Sequence, residues 1–195
     1  GKRLVMDIGG GSTELIIGER FETNALESLH IGCVSFTDLY FSKGELNADN
    51  FGAAVRHASR ELLNIKHQYT LLGWENSVGA SGSVKSIHNS LVYLELIKEH
   101  IDFDSLKTLK KKMLKLKHID NLDEIGVKKD RASIFPAGLA ILYACFEILQ
   151  IKQMALTTGA LREGLLYDIL GRIRHEDVRE RSIVSMQSRY AIDAK

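Results

Sequence analysis

Arg3-Leu4-Val5-Met6-Asp7-Ile8-Gly9-Gly10-Gly11-Ser12-Thr13-Glu14-Leu15-Ile16-Ile17-Gly18 is the stretch on which the fold turns. Arg3 to Ile8 is short and rich in β-formers, three glycines turn the chain, and Glu14 to Gly18 continues as a second strand. Asn24 to Ile31 supplies a third. Short connections make the three an antiparallel meander. Two familiar phosphate loops are excluded. A dinucleotide fingerprint wants Gly or Ala at its sixth position and a helix after it, whereas Glu14 stands there and a strand follows. The Gly-Lys-Ser/Thr of a Walker loop is absent.

Beyond the meander the period becomes helical. Phe51, Ala54, Val55, Ala58, Leu62 and Ile65 form one stripe that Asn47 or Asn50 can cap. Asn76 to Gly79 reads as a brief strand, with a helix from Ser83 to about Lys98. Asp102 caps the next helix, with Leu106, Leu109, Met113 and Leu116 inward. Asn121 to Asp130 is polar and irregular. Pro136 suits the first turn of a helix ending near Gln150. Met154 to Thr158 is the last strand, followed by helices over Leu161 to Leu170 and Glu176 to Tyr190. The order predicts an α/β fold: a five-stranded mixed sheet, meander first, with helices on both faces.

The 195 residues suit one ordinary domain with a short appendage, and 45% apolar against 26% charged excludes disordered and membrane classes. A net charge of +1 removes the electrostatic footprint of a general nucleic-acid binder. Cys33 and Cys145 lie far apart, so no disulfide framework or zinc site is expected. The longest apolar run, Ala137 to Phe146, is half of the roughly 20 residues that span a bilayer. Nothing at the front resembles a secretion signal. A reducing, cytoplasmic compartment is expected. Gly1 is not an initiator methionine and a strand follows almost at once, so the chain reads as a piece of something longer.

The chemistry concentrates at the first turn. Main-chain N–H groups of Gly9, Gly10 and Gly11 can form a nest for a phosphate oxygen, with Ser12 and Thr13 adding hydroxyl donors. Asp7 and Glu14 bracket the turn. Carboxylates beside a phosphate make sense when a divalent cation or a proton lies between them, and magnesium is the default. One of the pair could instead polarise a water for attack on phosphorus. The plainer alternative is a tight hairpin with solvated acids.

A second loop, Gly79-Ala80-Ser81-Gly82-Ser83, passes from strand to helix and presents N–H groups and the positive end of a helix dipole. Close strand–helix packing explains the same residues equally well. Lys85 follows in the first helical turn. Thr157 to Gly164 repeats the theme, with Arg162 read as a capping or ion-pairing residue, the alternative being a reach to a ligand. Lys107, Lys110, Lys111, Lys112, Lys115 and Lys117 crowd one helix, a solvated face or a track for a long polyanion. The histidines show no metal-ligand spacing, and Cys33 reads as a buried thiol.

These stretches, together with Gly32-Cys33-Val34 and Gly138 to Leu142, resemble the second domain of the exopolyphosphatase / guanosine pentaphosphate phosphohydrolase family. That family belongs to the actin-like ATPase superfamily. The resemblance implies a ribonuclease-H-like half-fold over residues 1–172, with 173–195 leading toward a helical domain and a first domain upstream, both absent here. It implies a cleft in which Asp7, Gly9, Ser12 and Glu14 face terminal phosphates, with Gly79 to Ser83 as the nucleoside-side loop. Relatives remove the terminal phosphate of polyphosphate or the 5′ γ-phosphate of guanosine pentaphosphate with magnesium. They are commonly homodimers, with possible loose association at the inner membrane face. The third glycine at Gly11, the Ser35-Phe36 pair and Arg174-His175-Glu176-Asp177 favour the exopolyphosphatase branch. A nucleotide sensor without turnover is the rival. Half a cleft aligns water and phosphate poorly, so this fragment alone is expected to be nearly inactive.

Overall fold

Apolar alternation builds the sheet. Leu4, Met6 and Ile8 of β1 (Arg3–Ile8) point to one face with Leu15 and Ile17 of β2 (Thr13–Glu19) and Ala25 and Leu29 of β3 (Glu22–Leu29), all buried. A computed structural model describes residues 1–19 and 22–157. In it, α1 (Cys33–Tyr40) and α2 (Ala48–Leu72) follow the meander. Next come β4 (Asn76–Gly79), α3 (Gly82–Tyr93), β5 (His100–Asp102) and α4 (Phe103–Lys115). A 3-10 turn (Ile119–Ile125), α5 (Lys129–Ala132), α6 (Phe135–Leu149) and β6 (Gln153–Leu156) complete the described chain.

The sheet has six strands, not the five expected, in the order β3-β2-β1-β4-β6-β5. β1 pairs antiparallel with β2 and parallel with β4, β4 runs parallel to β6, and β5 closes the edge antiparallel to β6. β5 escapes a periodicity argument because it has three residues and one buried apolar side chain, Ile101. The parallel pairs β1–β4 and β4–β6 bring the C-terminal ends of β1, β4 and β6 to one edge.

α6 is buried on nearly every side, as a helix apolar all round must be. It packs against α1, α2, α3 and α4 and lies on the sheet face of the buried strand residues. Asn47 caps α2 by accepting the Asn50 N–H at 2.8 Å. Asp102 and Ser105 form a reciprocal capping box on α4. α3 stops at Tyr93, short of the expected Lys98, and α1 was not expected at all. No described helix is long and apolar enough to cross a membrane. Residues Gly1–Thr157 form one compact unit. Several expectations lie outside the described residues: Thr158, the helices over Leu161 to Leu170 and Glu176 to Tyr190, the boundary at 172, the exit segment 173–195 and Arg162.

Candidate functional site

β1 and β2 place both acids of the first turn on one face. Asp7 pairs with Glu14 across the ladder, and Glu14 pairs with Ser28 of β3. These residues lie on the sheet face opposite the buried row. Glu14 Oε1 accepts hydrogen bonds from Ser12 Oγ at 2.5 Å and Ser28 Oγ at 2.9 Å. Burial, and then the Glu14 charge, hold the Asp7 carboxyl above the usual carboxylate range.

The Gly9 N–H donates to the Ser12 carbonyl at 2.8 Å and closes the turn. Cys33 and Val34, at the start of α1, donate to the carbonyls of Gly9 and Gly10, both at 2.9 Å, and Ser35 donates to Gly10 at 3.2 Å. In a planar trans peptide the N–H points away from the preceding carbonyl. With those carbonyls turned to α1, the N–H groups of Gly10 and Gly11 face the other way. Among the described residues the amides of Gly10, Gly11 and Ser12 have no acceptor, and the side of Gly11 where a Cβ would stand is open.

A Cβ would be crowded at Gly9, 3.1 Å from the Ser12 carbonyl oxygen, but not at Gly10 or Gly11. None of Gly9, Gly10 and Gly11 has positive φ, so the turn needs no left-handed residue. The tight position is Gly32, where a Cβ would lie 2.2 Å from the Gly10 carbonyl oxygen. Thr13 departs from expectation. It pairs with Ile8 and Leu29 on the buried face, and its hydroxyl donates to the Ile31 carbonyl at 2.5 Å. That hydroxyl braces the turn from beneath and does not reach the open side.

The second loop leaves the same sheet edge beside the first. The Ala80 N–H donates to the Met6 carbonyl at 2.9 Å. A Cβ on Gly79 would stand 2.5 Å from Val84 Cγ1, so this glycine allows close strand–helix packing. Ser81 caps α3 by accepting the Val84 N–H at 3.1 Å, and the Ser83 hydroxyl donates to the Ile8 carbonyl at 3.2 Å. Both hydroxyls hold the loop together; the Gly82 and Ser83 amides have no acceptor among the described residues. Arg131 is the neighbour that sequence reasoning missed. Its Nη1 lies 3.1 Å from the Cβ position of Gly82, and its Nε stands 3.8 Å from Asp130. No local pattern marks it, because the approach is made by residues far apart in the chain.

On the lysine helix two of the six side chains have partners among the described residues, and Lys111, Lys112 and Lys115 are exposed. Lys107 pairs with Asp104 at 2.9 Å, and Lys110 lies over the rings of Phe51 and Tyr143. Cys33 and Cys145 are buried free thiols, and burial pushes Cys145 up to about 12. Among the described residues no three His, Cys, Asp or Glu side chains cluster as metal ligands do. A cavity of about 790 Å³ opens at the other end of the strands, lined by residues including Lys66, Trp74, Ser77 and Gln153. It includes none of the predicted site residues.

Outward amides beside paired carboxylates stand at the carboxyl edge of the mixed sheet of this α/β domain, an arrangement that can receive an anion. The model of the Ppx/GppA phosphatase family matches residues 1–173, and the chain belongs to that family. It is 47% identical over 195 residues to the guanosine-5'-triphosphate,3'-diphosphate pyrophosphatase of Vibrio parahaemolyticus serotype O3:K6. To the protein of that name from Vibrio cholerae serotype O1 (strain ATCC 39315) it is 46% identical over 194 residues. The chain spans 39% of the length of each. The crystal structure of the Aquifex aeolicus Ppx/GppA family member superposes with a TM-score of 0.75 at 21% identity, over 91% of this chain and 58% of that one. An exopolyphosphatase from Cytophaga hutchinsonii gives 0.70 at 21% identity, over 87% and 57%. At that identity the likeness shows the fold.

The guanosine name of these sequence relatives runs against the exopolyphosphatase branch expected from Gly11, Ser35-Phe36 and Arg174 to Asp177. Ser35 donates to the Gly32 carbonyl at 3.1 Å and Phe36 is buried. Both stabilise α1, so neither reports on a substrate. Arg174 to Asp177 lie outside the described residues.

Proposed function

We propose that this chain is the part of a phosphoanhydride hydrolase that holds the terminal phosphates of its substrate, and that this substrate is guanosine pentaphosphate, which loses its 5′ γ-phosphate. The observation that carries the hydrolase reading is the pairing of Asp7 with Glu14 beside the unpartnered amides of Gly10, Gly11 and Ser12. Identity of 47% to a protein of the guanosine name supports the choice of substrate. The sheet order agrees with the ribonuclease-H-like half expected from the family resemblance.

The three amides bind non-bridging phosphate oxygens, with the Ser12 hydroxyl beside them. Glu14 Oε1 is oriented by Ser12 and Ser28, which leaves Oε2 free to orient a water or a cation. Asp7 and Glu14 suit magnesium, directly or through water. Hard oxygen donors in a pair match an ion that takes one or two carboxylates and completes its shell with water and phosphate. A magnesium ion held there would supply positive charge against the phosphate oxygens. The Gly82 and Ser83 amides and Arg131 take the charge of the next phosphates or of the nucleotide. Inorganic polyphosphate is the second reading, favoured by the exposed Lys111, Lys112 and Lys115 on α4.

The test is phosphate release by the intact protein, with guanosine pentaphosphate and long polyphosphate assayed side by side in magnesium. Faster release from the nucleotide supports the first reading, and faster release from polyphosphate supports the second. Tight nucleotide binding by calorimetry without release would make the protein a sensor.

A further inference from the structure

A helix leaves its first N–H groups without intrahelical partners, and in α1 the glycine turn accepts from three of them, Cys33, Val34 and Ser35. The turn therefore stands where α1 stands. α1 has eight residues, too few to persist as a helix in water by itself. Its place comes from what its side chains touch. Phe36 is buried and stacks on the His57 ring of α2 with centroids 4.9 Å apart. Tyr40 meets the same ring edge-on, with Tyr40 Oη 2.8 Å from His57 Nδ1. α2 is anchored in turn, since the buried Tyr69 hydroxyl donates to the Leu15 carbonyl of β2 at 2.6 Å.

We propose that Tyr40 and His57 are positioning residues for the phosphate-binding turn. The bond between them fixes α1 on α2, and α1 fixes the carbonyls of Gly9 and Gly10, which sets where the opposing amides point. Neither side chain meets the anion. The proposal rests on Gly9 to Ser12 being the phosphate loop, and its test separates the two claims.

Tyr40→Phe removes one hydroxyl and leaves the ring, while His57→Phe keeps a ring against Phe36. In the intact protein without substrate, amide hydrogen exchange of Cys33, Val34 and Ser35 reports the bonds to the turn. Exchange there rises about tenfold in each variant, while α6 stays protected. The kcat falls roughly tenfold with KM nearly unchanged, as a displaced loop predicts. The double variant is no worse than either single one, because all three lose the same bond. Unchanged exchange at Cys33 to Ser35, or additive losses in the double variant, overturns the proposal. Faster exchange with undiminished turnover upholds the positioning role and removes the turn from the chemistry.

Discussion

Asp7 and Glu14 stand opposite each other on neighbouring strands, and neither has an ion-pair partner among the described residues. Asp7 carries the cost of that arrangement. Burial and the Glu14 charge both disfavour its anion, so the folded protein holds the Asp7 proton more tightly than the unfolded chain. The penalty is present above the raised folded value and fades as pH falls through it toward the ordinary value of 3.8. Asp7→Asn therefore raises the thermal midpoint at pH 7, by less than about 1 kcal/mol because solvent screens a half-exposed group. The gain is smaller at pH 4 and is lost below the ordinary value of 3.8. A thermal melt at both pH values checks the sign, and an equal gain at both would mean that charge is not the cause. Thr13 carries a different lesson. Leu15 and Ile17 point inward, so alternation already sends Thr13 inward with them, and its bond to Ile31 was within reach of the pattern.

Among elements, α1 is the one that periodicity hides. Its buried Cys33 and Phe36 alternate with Val34 and Leu39, which are 49% and 63% exposed, so the apolar stripe is blurred. β5 is hidden by brevity. β1, β2, α2, α4 and α6 are legible because each carries a sustained apolar period and, in the helices, a cap or a proline at the start, while β3, its inward row broken by Glu27, was placed by its short connection to β2. The glycine turn was legible as the place where main-chain N–H groups and the two acids meet; the way it is held was not, because that depends on α1 approaching from beneath. Gly32→Ala tests that approach. Gly32 has φ −130, so the cost is space alone. The added methyl meets backbone rather than a side chain that can move, and a loss of about 1–3 kcal/mol is expected, read as a lower thermal midpoint. Asp102→Ala removes the side chain that accepts the Ser105 N–H at 2.7 Å. It should cost about 1 kcal/mol without altering phosphate release, which separates the α4 cap from the site.

At the scale of the molecule, the strand order brings the two loops together. β1 and β4 are parallel neighbours, so the turn after one and the loop after the other emerge at one edge. Ser83 and Ala80 bond back to β1 across that junction. Arg131 completes the edge from a segment that no local pattern could have placed there. Since the chain spans 39% of the length of its curated relatives, turnover is measured on the intact protein. The most direct measurement is phosphate release from guanosine pentaphosphate by Glu14→Gln, which keeps the shape of the side chain and an acceptor for Ser12 and Ser28 but removes the charge. The rate should fall by about 100-fold or more, with circular dichroism and the thermal midpoint close to those of the parent. Release at the parental rate would contradict a site built on the paired carboxylates.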